Sequence, residues 1–551
     1  MAKSKQVDSS HLPLPKRHCS QESLKDAVKN NDLVLAKKLI LSNGLPEDHQ
    51  ESLDLLNICI DKKQEEMGKI LVENGVKINR LDEGITSPLH AAIENGLESL
   101  AKVLIEKGAN VNARNVIEET PLHIAAFQGQ VEVVQALVDY GAVIHVKNSL
   151  MRPGPQRIDD YDVYGMTPLE NAVKAGHFEV MVILLSEARF QMQERHFILM
   201  LDLLLIVAAR HAPKAMILAL LSNGALVNPR WNRSIHSDFQ IPYSSRALSS
   251  IIAYKRYKYR DTKEIIELLL RHGADINEQD DHGLTPLHYA AIHCTDNDIE
   301  IVKILFKHGA DPNVRANFSS RGKTPLHCAA QLPSREELIK IFIDNGADVN
   351  DYTYDLGWGD IDKATPLHLA ALKEQPKNVQ ILLQHGANVD AQNTKSNTAL
   401  HLAVRDGIFK VGELFPDDQL SPDQVYLFKQ AMEVMKLLLN EGANVNLANR
   451  DKMTPLHFAV ALNYADVARI LIQYGAKVDA KNIHSQTPMH MAVRNDSRYI
   501  AREGSKCIRI LLQNGGNSNL KDKKGEKPLE YALRKNREKY VKTLLHCQQM
   551  K

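Results

Sequence analysis

The chain carries 23 histidines among 551 residues, enough to raise a metal or acid–base reading at once. Eight of them sit in one tetrapeptide, TPLH or a near variant: His90, His123, His288, His327, His368, His401, His457 and His490. Three more, His272, His308 and His385, each directly precede a glycine. Histidines set one repeat apart cannot share an ion at ligand distances of about 2 Å, so a structural role is expected for them. Gly322-Lys323-Thr324 has the tail of a phosphate-cradling loop, but Asn317 stands where that loop needs its first glycine. HExxH, GxSxG and a strand-borne GxGxxG are absent from the sequence. The six cysteines lie far apart, with no CxxC and no zinc spacing, which points to free thiols in a reducing compartment. The residues therefore predict no catalytic set, no metal and no cofactor.

The element that places these histidines is a repeat. TPLH stands at 120–123, 285–288, 324–327, 365–368 and 454–457, with variants headed by Ser87, Thr167, Thr398, Thr487 and Lys527. The steps 90→123, 368→401 and 457→490 are each 33 residues, and longer steps hold insertions. Thr caps a helix N-terminus and Pro fits its first position. The histidine three residues on can face back to the threonine, as in a capping box. A second helix then ends ahead of a glycine such as Gly141, Gly309 or Gly475, as a left-handed cap requires. Its paired apolar residues (Leu137 and Val138, Leu305 and Phe306, Leu471 and Ile472) form one stripe that a lone helix pair cannot bury but a stack can.

This unit, complete in ETPLHIAAFQGQVEVVQALVDYGAVIHVKN at 119–148 and again at 453–482, resembles the ankyrin repeat family over nearly everything after residue 20. The resemblance implies an α-solenoid of about 14 stacked helix-turn-helix repeats, joined by short β-hairpin fingers. The expected layout is a flexible polar tail at 1–20, degenerate repeats at 21–80, regular repeats at 81–195, divergent repeats with an inserted finger at 196–278, and repeats with insertions at 351–363 and 406–430 within 279–551. In the last insertion Ser421-Pro422-Asp423-Gln424 reads as a helix start, predicting a lengthened second helix to about Asn440. A similar elaboration is expected at 495–506. The central units fit worst: Glu170 replaces the histidine, and SEARF at 186–190 lacks the capping glycine.

Binding residues are sought where the pattern breaks. Three insertions fall at finger positions, at about 149–165, 229–245 and 351–363, and the last two hold both tryptophans of the chain. Aromatic and Arg side chains on loops are favoured contact anchors, so the candidates are Tyr161, Tyr164, Trp231, Arg233, Tyr254, Arg256, Tyr257, Tyr352, Tyr354 and Trp358. Each either contacts a partner or packs back across neighbouring fingers. Segment 229–260 has seven bases and one acid, interleaved with Tyr254, Tyr257 and Tyr259. The 351–363 finger has four Asp against Lys363. The structural motif itself is carried by residues such as Thr120, Pro121, His123, Thr285, His288, Thr324, His327, Thr365, His368, Thr454 and His457. The resemblance further implies that Asn112, Asn277, Asn350 and Asn446, in the GADVN-type turn, can be hydroxylated.

A net charge of +1 argues against a chain that binds polyanions along its whole length. The N-terminus, MAKSKQVDSSHLPLPKRHCS, has no apolar core of a signal peptide. The longest apolar run, Phe197–Ala209, is 13 residues with Asp202 inside it, which predicts a buried helix rather than a membrane span. The expectation is a monomeric, cytoplasmic or nuclear, non-enzymatic scaffold or adaptor. It would bind a protein partner through its fingers and the concave face of its first helices. An adaptor that recruits substrates to a ubiquitin ligase is a second reading, although no cullin-recruiting box follows the last unit. Nucleic-acid binding through 229–260 is a third.

Overall fold

A computed structural model describes residues 23–79, 86–149, 165–229, 246–254, 261–356, 359, 362–407, 422–494 and 501–549. The chain forms two compact units that divide after Gly224. Among the described residues, the first unit holds six helix pairs, from Leu24–Lys29 with Leu33–Asn43 to Glu194–His211 with Lys214–Ser222. The second holds eight, from Ala247–Ala253 with Thr262–Arg271 to Pro528–Arg534 with Glu538–Gln549. In each unit, helix pairs stack on their sequence neighbours, first helix on first helix and second on second. Each is thus a helical solenoid, and the number of pairs agrees with the number of units in the sequence.

The local chemistry matches the sequence rules. Pro is the first helical residue after Thr120, Thr285, Thr324, Thr365 and Thr454, and each of these threonines is extended, with φ near −90°. The second helices end at glycines with positive φ, Gly309 at +86° for example. Where the glycine is missing, the helix runs on. Phe178–Gln191 has 14 residues, whereas the second helix of the Thr120 repeat, Val131–Asp139, has nine. The insertion at 406–430 does feed a lengthened helix, Pro422–Asn440. The linker at 495–506 is partly helical, because Ala501–Gln513 begins inside it. Phe197–Ala209 lies in Glu194–His211 and buries Leu201, Leu204 and Leu205, with Asp202 buried beside them. Among the described residues no helix is long and apolar enough to cross a membrane.

Successive repeats are tied by the TPLH histidines. In the Thr365 repeat, Thr365 N–H donates to His368 Nδ1 (3.2 Å), and the hydroxyl lies 2.8 Å from the same nitrogen. With Nδ1 accepting, the proton belongs on Nε2, which donates to the Asn397 carbonyl of the next repeat at 3.0 Å. The same bridge runs from His90 to Glu119, His123 to Met166, His288 to Lys323, His327 to Ala364, His401 to Met453, His457 to Gln486 and His490 to Glu526. In sequence the insertions at 149–165, 351–363 and 406–430 each lie between two residues that the bridge still joins. Burial pushes His123, His288, His368, His401 and His457 down to about 4 and His327 to about 3, and it lowers His90 and His490 as well. A proton added at Nδ1 would also face the threonine N–H that points there.

The fingers differ from expectation. Among the described residues there is no β-strand, so the hairpins are not ladders. The short described fingers are tight turns closed by single backbone bonds, such as Asn115 N–H to Glu119 O and Asn393 N–H to Asn397 O, both 3.0 Å, whereas the longer finger at 351–363 is closed by two, Thr353 N–H to Ala364 O at 2.9 Å and Lys363 N–H to Tyr354 O at 3.1 Å.

The histidines set a pH dependence. Their folded pKa values lie below the ordinary value of about 6.5, so the unfolded chain binds more protons between about 4 and 6.5. Stability is therefore complete above pH 6.5 and is lost as pH falls through that window, by about 1.4 kcal/mol per pH unit for each histidine at full effect. Urea midpoints of the full chain across this range should fall with acid, and His368→Gln should lower the midpoint while flattening its pH slope by about one proton. A midpoint flat from pH 7 to 4.5 would refute the neutral bridge.

Candidate interaction surface

The outward parts of the scaffold are fixed from the finger base upward. An Asn or Asp five residues before the repeat threonine folds its side-chain oxygen into its own finger. Asn393 Oδ1 accepts from Lys395 N–H (3.0 Å) and Asn397 N–H (2.9 Å). Asn115, Asp280, Asn449, Asn482 and Asp522 do the same in their fingers. These Asx turns are backbone mimics that Asn and Asp make readily. One backbone bond then joins each tip to its neighbour: Ser149 to Ile117, Asn317 to His282, Tyr354 to Arg321, Thr394 to Asp362, Arg450 to Lys395, Ile483 to Asp451 and Lys523 to His484.

A second ladder runs along the GADVN-type turns. Asn350 Nδ2 donates to Gly386 O (3.1 Å) and its Oδ1 accepts from Asn388 N–H (2.7 Å). Asn112 bridges to Gly141 and Val143, Asn277 to Gly309 and Asp311, and Asn446 to Gly475 and Lys477. Asn79, Asn228 and Asn313 follow the same rule. The four asparagines singled out in the sequence are thus joints between repeats. Asp390 accepts at the equivalent place without a donor of its own to offer.

Of the aromatic candidates, Tyr161, Tyr164, Trp231, Arg233, Arg256, Tyr257 and Trp358 lie outside the described residues. Tyr254 caps the C-terminus of Ala247–Ala253 and is half-buried. Tyr352 and Tyr354 pack across fingers. Phe318 lies 5.1 Å from the Tyr354 ring, centroid to centroid. Arg315 pairs with Asp351, donates to the Tyr352 carbonyl at 2.6 Å and lies over Tyr354. Lys363 stands over Tyr352. Gly322 has φ +64°, and a Cβ there would meet the Tyr354 ring at 2.5 Å. Arg321 reaches the buried Asp362 at 2.7 Å, and Thr394 donates to Asp355 at 2.6 Å. Three of this finger's acids are therefore spent on neighbouring chain. Phe318, which the sequence reading passed over, remains 73 % exposed at the tip of its finger; its only sequence signal was an elongated loop, ANFSSRGK.

A third set of contacts closes the C-terminal ends of first helices with side chains from the next repeat. Arg335 donates to the Ala291 and Ile292 carbonyls, Asn378 to those of Ala330 and Leu332, Gln130 to Ile93 and Arg537 to Val493. Buried thiols on this scaffold are inert: burial pushes Cys59 up to about 12 and Cys328 to about 11. Among the described residues no group of His, Cys, Asp and Glu is placed to hold a metal ion.

Asn350→Ala removes both arms of one joint and should lower the urea-derived stability by about 1–2 kcal/mol. Asn350→Asp, which keeps only the acceptor as Asp390 does, should lose about half as much. Equal losses for the two variants would deny the donor arm its role.

Comparison with known proteins agrees with this architecture. Family models for ankyrin repeats match residues 89–138, 114–196, 251–353, 351–420, 425–503 and 485–551. The chain is 30% identical over 223 residues to transient receptor potential cation channel subfamily A member 1 of Homo sapiens, covering 39% of this chain and 17% of that protein. It is 28% identical over 144 residues to a putative ankyrin repeat protein of fowlpox virus, covering 25% and 34%. A putative ankyrin repeat protein of Acanthamoeba polyphaga mimivirus is 23% identical over 217 residues, covering 37% and 27%. The chain spans about a third or less of the length of these relatives. The helix pairs, the bridging histidines and the family models together place the chain in the ankyrin-repeat family.

Proposed function

We propose that this chain is a non-enzymatic scaffold or adaptor that binds a protein partner through its finger tips and first-helix face. Ankyrin repeats are in general protein-interaction modules, and the observation that carries the reading here is the contrast within one finger pair. Tyr354, Arg315 and Arg321 are locked by neighbours, while the Phe318 ring that lies against Tyr354 stays open to solvent. An apolar ring held on a rigid base is what a contact anchor needs, since little entropy is lost on docking. Val116, in a finger of the Thr120 repeat, is likewise an exposed apolar side chain, at 78 %. The basic stretch supports nucleic-acid binding less well, because Arg246 is paired with Glu278 at 2.8 Å. A role in ubiquitin-ligase recruitment and hydroxylation of Asn112, Asn277, Asn350 and Asn446 remain proposals of the family resemblance.

The test is cross-linking and affinity mass spectrometry on the full chain, beside Phe318→Ser and a Trp231→Ala/Trp358→Ala double variant with matched urea midpoints. The expected outcome is a directly cross-linked protein whose capture falls about tenfold in at least one variant, as loss of an aromatic anchor does. Failure to cross-link any protein directly would count against an interaction module. A partner held equally by all three chains would move the site off the fingers.

A further inference from the structure

On the first-helix face of the second unit, the charges do not balance. Lys323 occupies the position just before the repeat threonine, where other repeats have Glu119, Met166, Leu284, Ala364, Asn397, Met453, Gln486 or Glu526. Its half-buried Nζ donates to the Gln331 side-chain oxygen at 3.2 Å, at the far end of its own first helix. The last repeat makes the same crossing with ions. There Arg534, at the position equivalent to Gln331, meets Glu526, at the position of Lys323, through two bonds of 2.7 and 3.0 Å. The Thr324 repeat keeps the geometry and has an amide where a counter-charge would stand.

Among the described residues no carboxylate is paired with Lys323. Burial above all disfavours the charged form of Lys323, opposed by the neighbouring Cys328 and reinforced by the nearby Lys373 and Arg321 cations. Lys373, exposed, caps the first helix of the next repeat. Three described acids of this region face other partners: Asp351 meets Arg315, Asp362 meets Arg321, and Asp280 accepts from the Tyr289 hydroxyl at 2.7 Å. A lysine near a helix C-terminus can simply complement the helix dipole. That demand is reduced here, because Asn378 already takes the Ala330 and Leu332 carbonyls at the end of the Lys323 helix.

We propose that this face, between Lys323 and Lys373 beside Gln331, is a docking site for an acidic segment of a partner protein. An incoming Asp or Glu carboxylate accepts from Lys323 and Gln331, and Lys373 stands next along the face for a second acid. The Tyr289 ring, stacked with the exposed His293 on the preceding repeat, continues the surface for an apolar residue of the same segment. A peptide fits better than a nucleic acid, since a phosphate backbone draws on many cations, and Arg315 and Arg321 are already paired. The inference rests on the interaction reading above and adds to it the chemistry of the partner.

The experiment measures fluorescence anisotropy of the full chain with three labelled probes. One is a short Glu-rich peptide with interspersed Leu, the second is the same peptide with Gln for every Glu, and the third is a single-stranded DNA of similar length. We expect the Glu peptide to bind, the Gln peptide to bind at least about fivefold more weakly, and Lys323→Gln and Lys373→Gln each to weaken the Glu peptide by about fivefold. Lys323→Arg, which keeps the charge, should retain most of the binding, and Lys340→Gln, on a second helix, should change nothing. No preference for Glu over Gln, or Glu-peptide binding indifferent to both lysine substitutions, overturns the proposal. So does DNA that binds more tightly than the peptide and needs the same lysines. Direct partners recovered by cross-linking whose binding ignores Lys323 and Lys373 would overturn this inference and leave the interaction reading standing.

Discussion

The bond from each TPLH histidine to the carbonyl of the next repeat is the constraint on which the rest hangs. A helix pair of about twenty residues buries too little on its own to fold, so the pairs must be held in register with one another. Both helices of each pair bury apolar residues, but apolar contact is non-directional and would tolerate sliding. The histidine removes that freedom. It is fixed at one edge by the Thr365-type hydroxyl and amide, and it aims its other nitrogen at carbonyls of the next repeat, Asn397 first among them. Its burial keeps it neutral, and neutrality leaves one nitrogen to accept and the other to donate. The Asn350-type joints repeat the logic at the other end of the unit, with an amide that likewise has one donor and one acceptor arm.

Because the joints lie at fixed points, the chain between them is free to vary. His123 finds Met166 across a 43-residue separation, and His401 finds Met453 across 52. In an uninterrupted step, His368 reaches Asn397 across 29. An inserted finger therefore leaves both neighbours' packing unchanged. Such a finger can vary without disturbing the stack, and an aromatic finger need not bind anything. Tyr352 and Tyr354 are read most simply as the packing that stiffens a long finger, through Arg315, Lys363 and Phe318.

Much of this was legible from the chain. Thr-Pro before an apolar run located the first helices, and Pro422 after Ser421 located the start of the long helix Pro422–Asn440, because caps are local chemistry. SEARF at 186–190 lacks the capping glycine, and the helix there runs on to Gln191. What stayed hidden were contacts between residues far apart in the sequence. Nothing local says that Asn393 will close its own finger while Asn350 reaches the next unit; both are asparagines in polar turns. Arg335 and Asn378 looked like ordinary starts of second helices, yet they close the previous repeat's first helix. Among the described residues the fingers form no ladder for a related reason: the short ones spend their polar groups on Asx turns and on single bonds to their neighbours, and the longer ones at 316–323 and 353–364 carry only two paired backbone bonds each.

The departures from the repeat then acquire a physical meaning. Glu170 stands in the histidine's place, and its carboxylate accepts from Thr167 N–H at 2.7 Å, as the histidine would. An ionised carboxylate has no proton to give, so it cannot make the forward bond to a carbonyl. Burial raises its pKa, which moves it toward the protonated form that could. The next helix pair, Glu194–His211 with Lys214–Ser222, lacks TPLH and is unusually long and apolar in its first helix. With the directional joint weakened at Glu170, apolar burial by Leu201, Leu204 and Leu205 takes a larger share of the coupling. Coupling by burial alone is more permissive of angle than coupling by a hydrogen bond aimed at one atom. Within the first unit, the stack therefore changes its mode of cohesion just where its sequence stops looking like the rest.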